Sequence, residues 1–165
     1  MKWLRKRENR TEEILFAPLS GKVLHLKEVP DPAFSEKKLG EGIAIEPTEG
    51  KVCSPVNGEV IHLFPTKHAI GIGSENGLEI LIHIGLDTVF MEGKGFYECV
   101  KEGDRVKRGQ PLLEFSLDLV KQNATSIISP IVITNSNQVE RLEIISPPLA
   151  QMGTTPFMKI AIKSK

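Results

Sequence analysis

The chain has 165 residues, 40% of them apolar and 25% charged, enough to bury one core and too apolar for wholesale disorder. Twenty-one basic side chains balance twenty-one acidic ones, which excludes a nucleic-acid binder working through a broadly basic surface. The longest uncharged run, Gln122–Val139, is rich in Ser, Thr, Asn and Gln and broken by Pro130, so it cannot span a bilayer.

In chain order, residues 1–10 hold Lys2, Arg5, Lys6, Arg7 and Arg10 against Glu8, a local charge of +4 on a body of −4. Residues 1–13 are therefore expected to be a flexible basic tail, with residues 1–10 in weak contact with an anionic membrane surface. Residues 14–165 are expected to form a single domain. No apolar stretch fit for a signal peptide follows the tail, and Cys53 and Cys99 make no disulfide framework; a cytoplasmic protein with reduced thiols is expected. Short apolar runs then alternate with 14 glycines and 11 prolines. They predict strands over Gly21–Glu28, Gly42–Pro47, Gly58–Phe64, His68–Gly73, Leu78–Gly85, Pro111–Leu117, Ile127–Thr134 and Pro156–Ile162. One stretch, Ser116–Thr125, has the spacing for one or two helical turns. The pattern predicts an all-β sandwich or barrel with at most short helical turns. Ala17-Pro18-Leu19-Ser20-Gly21-Lys22-Val23 and Ser54-Pro55-Val56-Asn57-Gly58-Glu59-Val60 share a small-Pro-apolar-x-Gly-x-Val pattern, which predicts a duplicated β motif. Val100–Gln110 resembles a segment of biotinyl and lipoyl carrier domains, but Glu114-Phe115-Ser116-Leu117 supplies no lysine to modify.

Of the four histidines, His25 and His62 lie in charge-rich strands and read as surface or strand-edge residues. His68 and His83 flank a predicted hairpin. If Gly73 pairs with Leu78 across a four-residue loop, the two histidines stand opposite, with Cβ atoms about 5 Å apart. If Asn76-Gly77 is a two-residue turn, His83 faces Ile70 and His68 lies one diagonal step away, at roughly 7 Å. Either register puts both imidazoles on one face, away from a Leu78, Ile80, Ile82, Ile84 stripe that should point to the core. Three chemistries compete. A catalytic zinc wants three protein ligands, and Ile82-His83-Ile84 supplies one. A serine or cysteine nucleophile wants a base beside it, and no G-x-S-x-G elbow is present. A histidine can itself accept a phosphoryl group, with a second imidazole stabilising the charge. No nucleotide cradle is present, so another protein would have to supply the phosphoryl group.

The run from Gly77 to Val89 (Gly-Leu-Glu-Ile-Leu-Ile-His-Ile-Gly-Leu-Asp-Thr-Val) resembles the phosphohistidine signature of glucose-family enzyme IIA in the bacterial phosphoenolpyruvate:sugar phosphotransferase system. Ala17–Gly21, Val29-Pro30-Asp31, Phe34, Gly42–Ile45, Pro55–Gly58, Thr66–Ala69 and Glu102–Lys107 extend the resemblance from about Ile14 to the C-terminus. It implies an antiparallel β-sandwich with Greek-key connections. It implies that His83 accepts a phosphoryl group through Nε2 from the phosphocarrier HPr and passes it to a cysteine of a sugar-specific IIB domain. His68 would bind the phosphoryl oxygens, Thr66 would orient His68, and the Gly85 carbonyl would fix the His83 tautomer. Asp31 and Asp87 would meet positive charge on partners, and Phe34, Phe64, Ile70 and Leu81 would form an apolar rim. No cofactor is implied. Alternatively, the same face could serve a regulatory binding protein, with a zinc shared between His68, His83 and a carboxylate of a target protein.

Overall fold

A computed structural model describes residues 11–163, and turn formers delimit fourteen strands among them. They are β1 (Thr11–Phe16), β2 (Gly21–His25), β3 (Glu41–Pro47), β4 (Lys51–Cys53), β5 (Gly58–Leu63), β6 (Ala69–Ser74) and β7 (Glu79–His83). The second half adds β8 (Phe96–Glu98), β9 (Arg105–Val106), β10 (Pro111–Phe115), β11 (Ser129–Ile133), β12 (Val139–Ile144), β13 (Leu149–Ala150) and β14 (Pro156–Ile162). An eight-stranded sheet runs β13-β2-β3-β11-β7-β6-β5-β9, and two three-stranded sheets run β1-β14-β12 and β4-β10-β8. All these pairings are antiparallel. The fold is the expected antiparallel β-sandwich, and β11 returns over a long connection to lie between β3 and β7.

Each predicted strand is present, most of them trimmed at the ends. The first ends at His25, where Glu28 accepts a hydrogen bond from the His25 N–H and closes a 3-10 turn over Leu26–Glu28. The helical spacing after Ser116 gives α2 (Leu117–Asn123), capped by the Ser116 hydroxyl oxygen accepting from the Leu119 N–H. A shorter helix, α1 (Pro32–Ser35), has Asp31 as its N-cap and Pro32 in its first turn. Six strands have no counterpart in the sequence reading. Four are only two or three residues long, and β1 and β12 are charged edge strands of one small sheet. Thr11, Glu12 and Glu13, assigned to the tail, instead pair with Ile162, Ala161 and Ile160 of β14. The membrane expectation for residues 1–10 lies outside the described residues. Among the described residues, no helix is long and apolar enough to cross a membrane.

The two small-Pro-apolar-x-Gly-x-Val copies lie side by side and bond to each other. The Phe16 N–H donates to the Pro55 carbonyl (3.0 Å), and the equivalent Cys53 N–H donates to the Pro18 carbonyl (2.9 Å). Gly21 and Gly58 do the same work in their copies. A Cβ on either would stand 2.0 Å from a carbonyl oxygen of the neighbouring strand, Glu46 or Gly73.

Alternation along the large sheet divides its side chains between two apolar clusters. Ile43, Ile45, Ile72, Ile80, Ile82, Ile131 and Ile133 join Phe157 and Ile160 of β14 and Leu113 of β10 in the main core. The other face carries Ala44, Leu81 and Val132, which pack with Leu24, Leu26, Phe34 and Leu86. The histidine pair lies on this second side.

Candidate functional site

His83 is the last residue of β7, and strand alternation decides its surroundings. Leu78, Ile80, Ile82 and Ile84 are at most 1% exposed in the main core, as their stripe predicts, so Leu81 and His83 face the other way. There α1 delivers the buried Phe34, whose ring centroid lies 5.2 Å from that of His83.

The hairpin register differs from both sequence readings. Ala69, not His68 or Ile70, stands opposite His83. The loop has three residues, Glu75-Asn76-Gly77, closed by the Ser74 N–H donating to Leu78 (2.8 Å), with Gly77 at φ +95°. Strict alternation in this register would turn His68 towards the core. His68 escapes it by preceding β6, directly after Lys67 at φ +59°. Its carbonyl accepts the Ile84 N–H (2.8 Å), which fixes it beside the end of β7. The two imidazole centroids come within 4.9 Å, with the rings at 84°.

Each ring is oriented by one further hydrogen bond. His83 Nδ1 lies 2.8 Å from the Gly85 carbonyl oxygen, which can only accept, so Nδ1 carries the proton and Nε2 the lone pair. Gly85 adopts φ +67°, and a Cβ there would meet Thr88 Cγ2 at 2.8 Å and the Ser126 oxygen at 2.9 Å. Thr66 Oγ1 lies 2.6 Å from His68 Nδ1. Burial, and secondly the neighbouring His83, push the His68 imidazole down to about 4. Burial also lowers His83, against the opposing pull of the Gly85 carbonyl and the Asp31 and Asp87 carboxylates. Both rings are therefore neutral at pH 7, the form in which a ring nitrogen is nucleophilic.

Asp31 caps α1 by accepting the Ala33 N–H (2.9 Å). Asp87, at φ +63°, opens a 3-10 turn over Thr88–Met91 and accepts a hydrogen bond from the Thr125 hydroxyl. Phe64 and Leu81 are half-buried beside the pair, whereas Phe34 packs beneath the surface against His83. Ile70 does not belong to the rim. It is fully buried and pairs with Ile82, on the core face of the sheet. The exposed Val89 and Phe90, in the turn after Asp87, were not singled out in the sequence; two large apolar side chains directly after the Asp87-Thr88 turn were the available signal. His62 is exposed, as expected, but its ring lies 4.3 Å from that of Phe64 and its Nδ1 lies 3.0 Å from a Glu102 oxygen. Two imidazoles provide two of the four ligands a zinc wants, and no group of three or more His, Cys, Asp or Glu is placed to hold a metal among the described residues. A zinc held here would need a donor beyond these residues.

This arrangement offers a neutral, oriented nucleophilic nitrogen with a second imidazole beside it. Comparison with known proteins identifies the family. A model of the family "phosphoenolpyruvate-dependent sugar phosphotransferase system, EIIA 1" matches residues 13–139. The chain is 51% identical over 152 residues to the PTS system glucose-specific EIIA component of Bacillus cereus, covering 92% of each chain. It is 49% identical over 148 residues to that of Staphylococcus epidermidis, covering 90% of this chain and 89% of the other. The solved glucose permease IIA from Mycoplasma capricolum superposes with a TM-score of 0.84 at 38% identity, over 90% of this chain and 96% of that one. Fold, histidine pair and sequence relationship together establish that the chain belongs to the EIIA family of the phosphoenolpyruvate-dependent sugar phosphotransferase system.

Proposed function

We propose that the protein is a phosphocarrier in which His83 takes a phosphoryl group from phospho-HPr and hands it to the cysteine of a sugar-specific IIB domain. The observation that carries this reading is the His83 Nδ1 contact to the Gly85 carbonyl at 2.8 Å, which leaves the lone pair on Nε2. That lone pair attacks phosphorus as the bond to the donor histidine nitrogen breaks. A cysteine thiolate later attacks the same phosphorus, and the Nε2–P bond breaks in turn. Thr66 Oγ1 lies 2.6 Å from His68 Nδ1, and in the tautomer where the hydroxyl donates to Nδ1, His68 Nε2 carries the hydrogen that stabilises the charge on the transferring group. Asp31 and Asp87 hold negative charge beside the site, which favours partners with basic docking faces.

Incubation with phosphoenolpyruvate, enzyme I and HPr tests the reading. One acid-labile, alkali-stable phosphate per chain is expected on His83, and none on His83→Ala. Absence of label in the parent protein with a competent HPr would sink the proposal.

A further inference from the structure

The segment resembling biotinyl and lipoyl domains reaches back to the histidine pair. Its turn at Lys101–Asp104 is closed by Asp104 Oδ2 accepting the Lys101 N–H (3.0 Å). The turn grips β5 at Val60, whose carbonyl accepts the Gly103 N–H (2.8 Å) and whose N–H donates to Asp104 (2.9 Å). Directly after Val60 the β5–β6 register slips at a bulge, which re-aims the residues that follow. Glu102 Oε1 there accepts the Leu63 N–H (2.9 Å) and lies 3.0 Å from His62 Nδ1. The His62 ring meets Phe64 edge-on at 4.3 Å, and Phe64 meets His68 edge-on at 5.5 Å. Phe64 is thus held between two imidazoles, and Glu102 anchors the outer one.

We infer that Glu102 and His62 are positioning residues that hold the Phe64 ring against His68, so that the Lys101–Asp104 turn sets the geometry of the histidine pair. Thr66 fixes one nitrogen of His68, the His83 ring lies against it at 4.9 Å, and Phe64 closes a further side of the ring edge-on. Without His62 the outer side of Phe64 is open, and its ring can swing towards solvent. The consequence for phosphoryl transfer rests on the function proposed above, whereas the ring positions do not.

The test is therefore made first without any phosphoryl donor, by NMR on the full chain. Cross-relaxation between the Phe64 and His68 ring protons is present in the parent protein and lost in Glu102→Ala and in His62→Ala. Glu102→Gln keeps an oxygen acceptor and restores it, and His62→Phe retains it by keeping the aromatic edge. In transfer assays Glu102→Ala lowers kcat roughly tenfold, a displacement effect, with KM for phospho-HPr unchanged. Unaltered cross-relaxation in both alanine variants overturns the inference, and so does a Glu102→Gln variant that behaves like Glu102→Ala. Failure of transfer in the parent protein would refute the proposed function while leaving the NMR result to decide this one.

Discussion

At Gly85 the main chain does work that a side chain commonly does, since its carbonyl sets the protonation pattern of His83. Its positive φ and the crowding by Thr88 and Ser126 leave no room for a methyl group. Gly85→Ala is expected to cost roughly 1–3 kcal/mol, read by thermal unfolding, and to slow phosphorylation of His83 as the carbonyl shifts. An alanine variant with parental stability and rate would show that the carbonyl position is not so constrained. Gly85 and Thr66 were legible only through the family resemblance that implied their roles; in the structure each contacts the histidine two residues away. Ile70 was misplaced because strand parity is decided by the length of one turn, and Glu75-Asn76-Gly77 has three residues where two or four were considered. His62 is exposed as its strand predicts, but its contacts with Phe64 and Glu102 are not legible, because neither the bulge after Val60 nor a glutamate 40 positions away shows in local pattern.

At the level of elements, the paired copies show why small residues recur at strand starts. Gly58 lets β5 lie against the backbone of β6, and Gly21 lets β2 lie against β3. Gly58→Ala forces a methyl group to within 2.0 Å of the Gly73 oxygen unless the strands part. The expected loss is roughly 3 kcal/mol, towards the upper end for overpacking, and is read as a lower urea midpoint. An unchanged midpoint would mean that β5 can shift freely against β6. Most strands with apolar or cleanly alternating faces were legible, whereas the six-residue edge strands β1 and β12 carry too much charge to stand out. The short strands were not legible either, since two residues such as Arg105-Val106 hold no period, and their pairing is imposed by neighbours. Helix α1 was within reach of a closer reading, for Asp31-Pro32 is a helix start; its four residues were too few to carry a periodic signal.

For the molecule as a whole, the neutral histidine pair couples stability to pH. The fold holds His68 at about 4 and lowers His83, so below the ordinary histidine value the unfolded chain binds protons that the native one does not. That contribution is fully present above about pH 6.5 and is lost as pH falls through 6.5 towards 4. The melting temperature of the parent protein should therefore fall faster over this range than that of His68→Gln, which cannot titrate there. Parallel curves would show that burial of His68 does not penalise its charge. Fold class was legible because it depends on local pattern, but the nearness of the two histidines was not, since only the place of His68 before β6 brings it beside His83 in the true register. The union of three sheets was not, because it depends on pairings between distant segments.

One such pairing has a consequence for how the protein is made. Strand β14, Pro156–Ile162, is the middle of its three-stranded sheet, flanked by β1 and β12. The first strand thus waits for the last, across nearly the whole length of the chain, a closure with a high entropic cost. On the ribosome, Ile14, Leu15 and Phe16 emerge well before β14 and stay without this ladder until β14 has cleared the exit tunnel. A chain stopped before Pro156 would lose the strand that both flanking strands need, so a short truncation at the far end would leave an open edge at the beginning.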